Sequence, residues 1–153
     1  MKISDIITVD RVASGVDPAS KKRILQALAE MLASGHEGLD GHAAFDCLYE
    51  RESLGTTGIG KGVALPHGRH RHGEGTVGAF IELNGALDFD AVDDRPVDLL
   101  FGLLVPAEAN QEHLDVLARL AEMFRTADFR DRLRAEEDPA AIHRLLVEQS
   151  GGG

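Results

Sequence analysis

The chain opens and closes on helical periodicity and carries strand-like patterning between. Across 18–34, Ile24, Leu25, Leu28, Met31 and Leu32 fall on one helix face. Asp17 is a good N-cap, Pro18 suits the first turn, and Gly35 supplies a stop. A second helix is predicted from Asp40 to about Arg51 or Ser53, burying Ala44, Cys47 and Leu48. Residues 76–83 alternate, placing Val77, Ala79, Ile81 and Leu83 on one strand face. Asn84-Gly85 predicts a turn, 87–89 a short strand and 93–96 a further turn. Val97 to Val105 is almost continuously apolar, the pattern of a strand covered on both faces. In the last third, Asn110 caps a helix that turns Leu114, Leu117, Ala118, Ala121 and Phe124 inward. Asp128 opens a short helix carrying Phe129 and Leu133. Asp138-Pro139 starts a final one with Ile142, Leu145 and Leu146.

Helices before and after a set of strands, one of them buried, predict an α/β three-layer sandwich with a mixed central β-sheet flanked by helices. No internal repeat or linker interrupts the pattern, so residues 1–149 are expected to form a single domain. Ser150 and the three glycines after it are expected to be a flexible Gly-rich tail, 150–153.

Composition narrows the class. At 153 residues and 43% hydrophobic, the chain can bury a sizeable core. A formal net charge of -10 argues against nucleic acid as a partner, because that binding rests on Lys and Arg neutralising phosphates. The single cysteine, Cys47, cannot close an internal disulfide, which fits a reducing compartment. Residues 1–5 lack the apolar run of a signal peptide, and 97–105 is too short to span a bilayer and is interrupted by Asp98. A cytoplasmic protein without membrane insertion is expected.

Between the second helix and the strands the texture changes. Gly55 to Gly75 contains seven glycines and few large apolar groups, a density that suits backbone lying close to a ligand. Within it, Val63-Ala64-Leu65 reads as a strand edge ended by Pro66. Loop amides such as those of Gly58 and Gly60 can form a concave anion site, and Thr56 and Thr57 add hydroxyl donors. Arg51 and Arg69 add forked donors that match phosphate. His67 stands beside them, and a neutral imidazole, with an ordinary pKa of about 6.5, is a competent nucleophile near pH 7. A P-loop is excluded because Lys61 is followed by Gly62. On composition alone, the same segment also reads as a solvated connection carrying one histidine.

His67, His70 and His72 are close in sequence, but His70 and His72 lie among arginines and glycines, which predicts an exposed basic loop. No metal and no cofactor are expected. His36, His42 and His143 read as surface residues and Cys47 as core. Asp98 reads as the centre of a buried hydrogen bond. Ile59, Val63 and Leu65 are the expected apolar rim around His67.

The ordered stretch Thr57-Gly58-Ile59-Gly60-Lys61-Gly62-Val63-Ala64-Leu65-Pro66-His67-Gly68 closely resembles the active-site signature of the fructose/mannitol-type IIA domains of the bacterial phosphotransferase system (PTS EIIA type 2). The match is nearest to their nitrogen-regulatory branch, and the likeness extends over most of the chain. It implies that His67 accepts a phosphoryl group on Nε2 from a phosphorylated HPr-type carrier. It implies that Arg51, ending the helix before the loop, stabilises the phosphate. His113, in His113-Leu114-Asp115-Val116-Leu117-Ala118, matches the family's second histidine, and a neutral imidazole there has an N–H to give to a phosphoryl oxygen. Thr56, Thr57, Gly58 and Gly60 are the expected phosphate-binding loop. The resemblance thus implies a phosphotransferase of the phosphocarrier kind, with regulatory protein targets downstream. A sugar-specific subunit passing phosphate to a IIB transporter domain is the near alternative. A non-catalytic binding module is the distant one.

Overall fold

The computed structural model describes residues 1–73 and 75–150; the expected flexible tail, apart from Ser150, lies outside the described residues. A mixed six-stranded sheet is flanked on both faces by helices. In chain order, α1 (Ile3–Ile6) and a 3-10 turn (Val9–Arg11) lead into β1 (Val12–Val16). Two helices follow, α2 (Lys21–Ala33) and α3 (Gly41–Ser53). Three short strands come next: β2 (Gly58–Gly60), β3 (Val63–Ala64) and β4 (His67–His70). The long β5 (Val77–Leu87) and β6 (Val97–Pro106) precede α4 (Gln111–Met123), α5 (Ala127–Ala135) and α6 (Pro139–Gln149).

β6 is the axis of the sheet. It pairs antiparallel with β5 on one side. On the other side β3 and β4 run parallel to it, end to end. Its alternation sorts the core into two layers. Leu99, Phe101, Leu103 and Val105 pack with α1, α4, α5 and α6, whereas Leu100 and Leu104 pack with α2 and α3. Gly102 lies under α2: a Cβ there would meet Leu28 Cδ2 at 2.6 Å, so the helix sits directly on the strand.

Several sequence expectations are corrected by tertiary contacts. Asn84-Gly85 is not a turn, and 87–89 is not a separate strand; β5 runs on to Leu87 with an irregular register after Glu82. Asn84 turns its side-chain amide away, donating to Asp17 Oδ1 at 3.0 Å. With Asp17 engaged there, Ser20 caps α2 instead, accepting from the Arg23 amide, and the helix begins three residues after Pro18. β1 breaks its own alternation at Ser14-Gly15 and finds its place only by pairing parallel with β5. Thr126, not Asp128, stands at the N-cap of α5. In α4 the buried stripe is Val116, Leu120 and Met123, continued by Phe124 past the helix end, and Leu114 and Ala118 are exposed.

Glu82 is the core's anomaly. It is 7% exposed, and its Oε2 has no hydrogen-bond partner among the described residues. Burial is the main force raising its carboxyl to about 7. The Asp98, Glu137 and Glu136 carboxylates add to the rise, and Arg134 opposes it. Arg134 is itself bound to Asp98 at 2.9 Å, so the hydrogen bond expected of Asp98 is an ion pair with α5. Because the folded protein holds the Glu82 proton more tightly than the unfolded chain, this residue is least costly below pH 4.5. Its penalty grows as pH rises to about 7. Glu82→Gln should therefore stabilise the protein at pH 8 by on the order of 2 kcal/mol and give no advantage at pH 4.5. Thermal melts at the two pH values check this; an equal difference at both would contradict it.

Candidate functional site

β4 and the elements around it build an open cavity of about 500 Å³. The end of α3 contributes Cys47, Glu50, Arg51 and, just after it, Leu54. β4 contributes His67, Gly68 and Arg69, followed by Arg71. β6 forms the floor with Leu103 and Val105, and the start of α4 adds His113, Leu114 and Leu117. Arg51, His67 and His113, far apart in sequence, thus share one cavity. Two apolar residues at its edge are unusually open, Leu54 at 81% and Leu114 at 38% exposure.

The segment expected to be a free loop is largely paired. His67 through His70 lie in register with Leu103 through Pro106, so the histidine stands on a strand. Gly68 explains how α3 comes so near. A Cβ at that position would lie 2.5 Å from the Cys47 carbonyl oxygen, closer than any side chain can stand. The glycine lets the last turns of α3 settle onto β4 and brings Arg51 beside His67. The Arg51 guanidinium is anchored by donating to the Gly55 carbonyl at 2.9 Å.

His67 has a defined tautomer. Its Nδ1 lies 2.7 Å from the Leu65 carbonyl oxygen, which can only accept, so Nδ1 carries the proton and neutral Nε2 keeps its lone pair. Burial is the main force holding the imidazole below its usual pKa. The Leu65 carbonyl opposes this, the Arg51 charge adds to it, and the Glu52 carboxylate opposes it. The neutral, nucleophilic form is therefore favoured near pH 7.

The expected phosphate-binding loop does not reach this cavity. Thr57 is buried, and its amide and hydroxyl both donate to the Glu52 carboxylate, at 2.7 and 2.6 Å. Thr56 donates its hydroxyl to the Phe89 carbonyl and accepts from the Gly58 amide. Gly58 is pressed against Ala91, and Gly60 lies against Asp93, whose carboxylate accepts the Lys61 amide. The glycines and threonines shape the approach to β3 and β4 instead of presenting donors at the cavity wall. The apolar rim also differs. Val63 and Leu65 are buried and Ile59 faces elsewhere, while Leu54, Leu114 and Leu117 take the place assigned to them.

Sequence reasoning missed Glu52, a buried carboxylate held by Thr57 and 3.9 Å from Lys21 Nζ. No local pattern marks it, since its partners come from the following loop and from α2. It also placed His70 wrongly. That residue is 1% exposed, donates from Nε2 to the Gly75 carbonyl at 2.8 Å and accepts the His72 amide on Nδ1. His143 likewise reaches the Ile7 carbonyl at 3.0 Å instead of standing free at the surface. Cys47 borders the cavity, half-buried, and burial pushes its thiol up, with Glu50 and Asp46 adding to the effect. Among the described residues there is no group of His, Cys, Asp or Glu that could hold a metal, and no helix long and apolar enough to cross a membrane.

Residues 5–149 match the family described as phosphoenolpyruvate-dependent sugar phosphotransferase system, EIIA 2. A nitrogen regulatory protein of Pseudomonas aeruginosa is 40% identical over 152 residues, covering 99% of each chain. A PTS system fructose-specific EIIA component of Haloferax volcanii is 32% identical, covering 97% of this chain and 98% of its own. The crystal structure of the nitrogen regulatory protein IIA-Ntr from Neisseria meningitidis superposes with a TM-score of 0.89 at 38% identity. That match covers 94% of this chain and 98% of the other.

Proposed function

This chain belongs to the EIIA type-2 family of the phosphoenolpyruvate-dependent phosphotransferase system, and we propose that it is a phosphocarrier of the nitrogen-regulatory kind, with His67 as acceptor. The observation that carries the reading is the tautomer of His67. With Nδ1–H committed to the Leu65 carbonyl, Nε2 is the bare nitrogen, in a cavity shared with a guanidinium and a second imidazole.

Transfer from an HPr-type donor is an in-line displacement between two histidines. The Nε2 lone pair of His67 attacks phosphorus, the donor's P–N bond breaks, and the donor imidazole leaves with the bonding pair. No proton need leave His67, since Nδ1–H stays on its carbonyl throughout and steadies the positive charge that the ring acquires. Arg51 and His113 stabilise the oxygens in transit. The exposed Leu54 and Leu114 give the donor an apolar surface beside the acceptor, so the water its docking releases leaves a drier cavity.

Arg51→Ala should slow transfer roughly ten- to hundredfold, the loss of one charge-assisted hydrogen bond of about 1.5–3 kcal/mol, without unfolding the protein. Rapid-quench transfer kinetics and a melting curve check both halves.

The phosphorylated cavity differs from the free one by a compact negative charge, which suits a signal read by regulatory protein targets. The likeness to a fructose-specific component favours one second reading, onward transfer to a IIB domain. Incubation with Enzyme I, an HPr-type protein and phosphoenolpyruvate tests the proposal: wild-type protein should gain an acid-labile phosphoryl group. Absence of label with a cognate donor would sink it and leave a binding module. Passage of the label to a IIB domain would select the sugar-transport reading.

A further inference from the structure

We propose that Thr76 fixes the tautomer of His113, so that His113 turns an N–H, and not a bare nitrogen, into the cavity it shares with His67. Thr76 lies just before β5 and 37 residues from His113, yet its Oγ1 stands 2.6 Å from His113 Nδ1. That separation is inside the span of hydroxyl donors, about 2.5–3.0 Å. The Thr76 hydroxyl has no other hydrogen-bond partner among the described residues. A part-buried hydroxyl proton left without an acceptor is costly, whereas an unused oxygen lone pair is less so. Both considerations point the same way: Thr76 donates, His113 Nδ1 accepts, and the neutral ring carries its proton on Nε2.

The two histidines of the cavity are then opposite tautomers. His67 is pinned by a carbonyl, which forces Nδ1–H and frees Nε2 as nucleophile. His113 is pinned by a hydroxyl, which places its proton on Nε2, where it can be donated to an oxygen of the transferring group. Had His113 faced a carbonyl like that of Leu65, it would present a second lone pair and repel those oxygens.

Thr76 is held for this task from both sides. The carbonyl of the residue before it, Gly75, accepts the Nε2–H of buried His70 at 2.8 Å, and the strand begins at the residue after it. On the helix side, Asn110 Oδ1 accepts the His113 amide and fixes the first turn of α4. The His/Arg-rich segment after His67 thus acquires a use: His70 ties down the loop end that carries the positioning residue.

The kinetic part of the inference rests on His67 being the phosphoryl acceptor; the tautomer itself belongs to the unphosphorylated protein and is tested separately. Long-range proton–nitrogen correlation spectra of protein with 15N-labelled histidine read each ring directly. In the wild type, His113 should show Nε2–H and His67 Nδ1–H. Thr76→Ser should keep both. Thr76→Val should release His113 into a mixture of tautomers and leave His67 unchanged. In the phosphoryl relay, the valine variant should transfer roughly tenfold more slowly at saturating donor, with the serine variant restored to within about twofold and KM unchanged in both. A wild-type His113 protonated on Nδ1 would overturn the proposal outright, whether or not any variant folds. An unchanged His113 ring in Thr76→Val would do the same. If the wild type accepts no phosphate, the phosphocarrier reading fails, and the spectra still decide the role of Thr76.

Discussion

His67→Ala should fold as well as the wild type and take up no phosphoryl group at all. Among the described residues the imidazole makes one hydrogen bond, to the Leu65 carbonyl, and it stands at a cavity wall outside both hydrophobic clusters. Its removal should cost no more than about 1 kcal/mol of stability. No neighbour can take over. His70 is buried with both ring nitrogens engaged. His113, in the tautomer proposed above, turns an N–H and not a lone pair into the cavity, and burial pushes the Cys47 thiol up, away from the reactive thiolate. On the proposed reading, the alanine variant loses the covalent acceptor and with it the reaction itself, whereas losing Arg51 should only slow it. Label from phosphoenolpyruvate through the relay, together with a melting curve, gives both readings. Stoichiometric acid-labile label on the alanine variant would move the acceptor elsewhere.

Gly68→Ala should damage stability and transfer together. The added methyl would meet the Cys47 carbonyl oxygen at 2.5 Å and its carbonyl carbon at 2.8 Å. These are backbone atoms inside a helix, so neither can swing aside as a side-chain tip would. α3 must lift from β4, at a cost on the order of 3 kcal/mol, or roughly 10 °C in melting temperature for a chain of this size. The same displacement carries Arg51 away from His67, so the variant should also transfer more slowly at temperatures where it is fully folded. Calorimetry and transfer kinetics on one preparation check the pair. A variant that melts like the wild type would mean that α3 and β4 yield more easily than their backbone contact suggests.

The layers of the fold were legible because they rest on local periodicity. The β6 run, the Asp40 and Asn110 caps and the Asp138-Pro139 start each carry their signal within a few residues. Elements decided by a distant partner were not legible. Nothing near Asn84 says that its amide will be drawn to Asp17, and nothing near Ser14 says that β1 will be held by β5. At the site, His67, Arg51 and His113 could be placed because they occupy positions in an ordered motif. The threonines and glycines beside them suit phosphate by composition, but in the structure Thr57 donates to Glu52, Thr56 donates to the Phe89 carbonyl and the Gly58 amide donates to Thr56. In α4, Leu117, Ala121 and Phe124 pack inward as the periodicity predicts, whereas Leu114 and Ala118 are exposed and Val116, Leu120 and Met123 complete the buried face. Apolar residues line both its buried face and the cavity, and periodicity does not distinguish a residue that packs against core from one that greets a partner.

The pairing of β4 with β6 has a consequence for how the molecule keeps time. An acceptor on a flexible loop would need a closing movement in every cycle, and that movement would set a ceiling on turnover. Here His67 rides a strand hydrogen-bonded along its length to the centre of the sheet. On the proposed reading, the acceptor is already seated on its strand before a donor arrives. Its tempo should follow collisions: proportional to donor concentration, sensitive to solvent viscosity and ionic strength, and indifferent to internal motion. Such a part works less like a latch than like a fixed electrical contact, live or dead according to who last touched it.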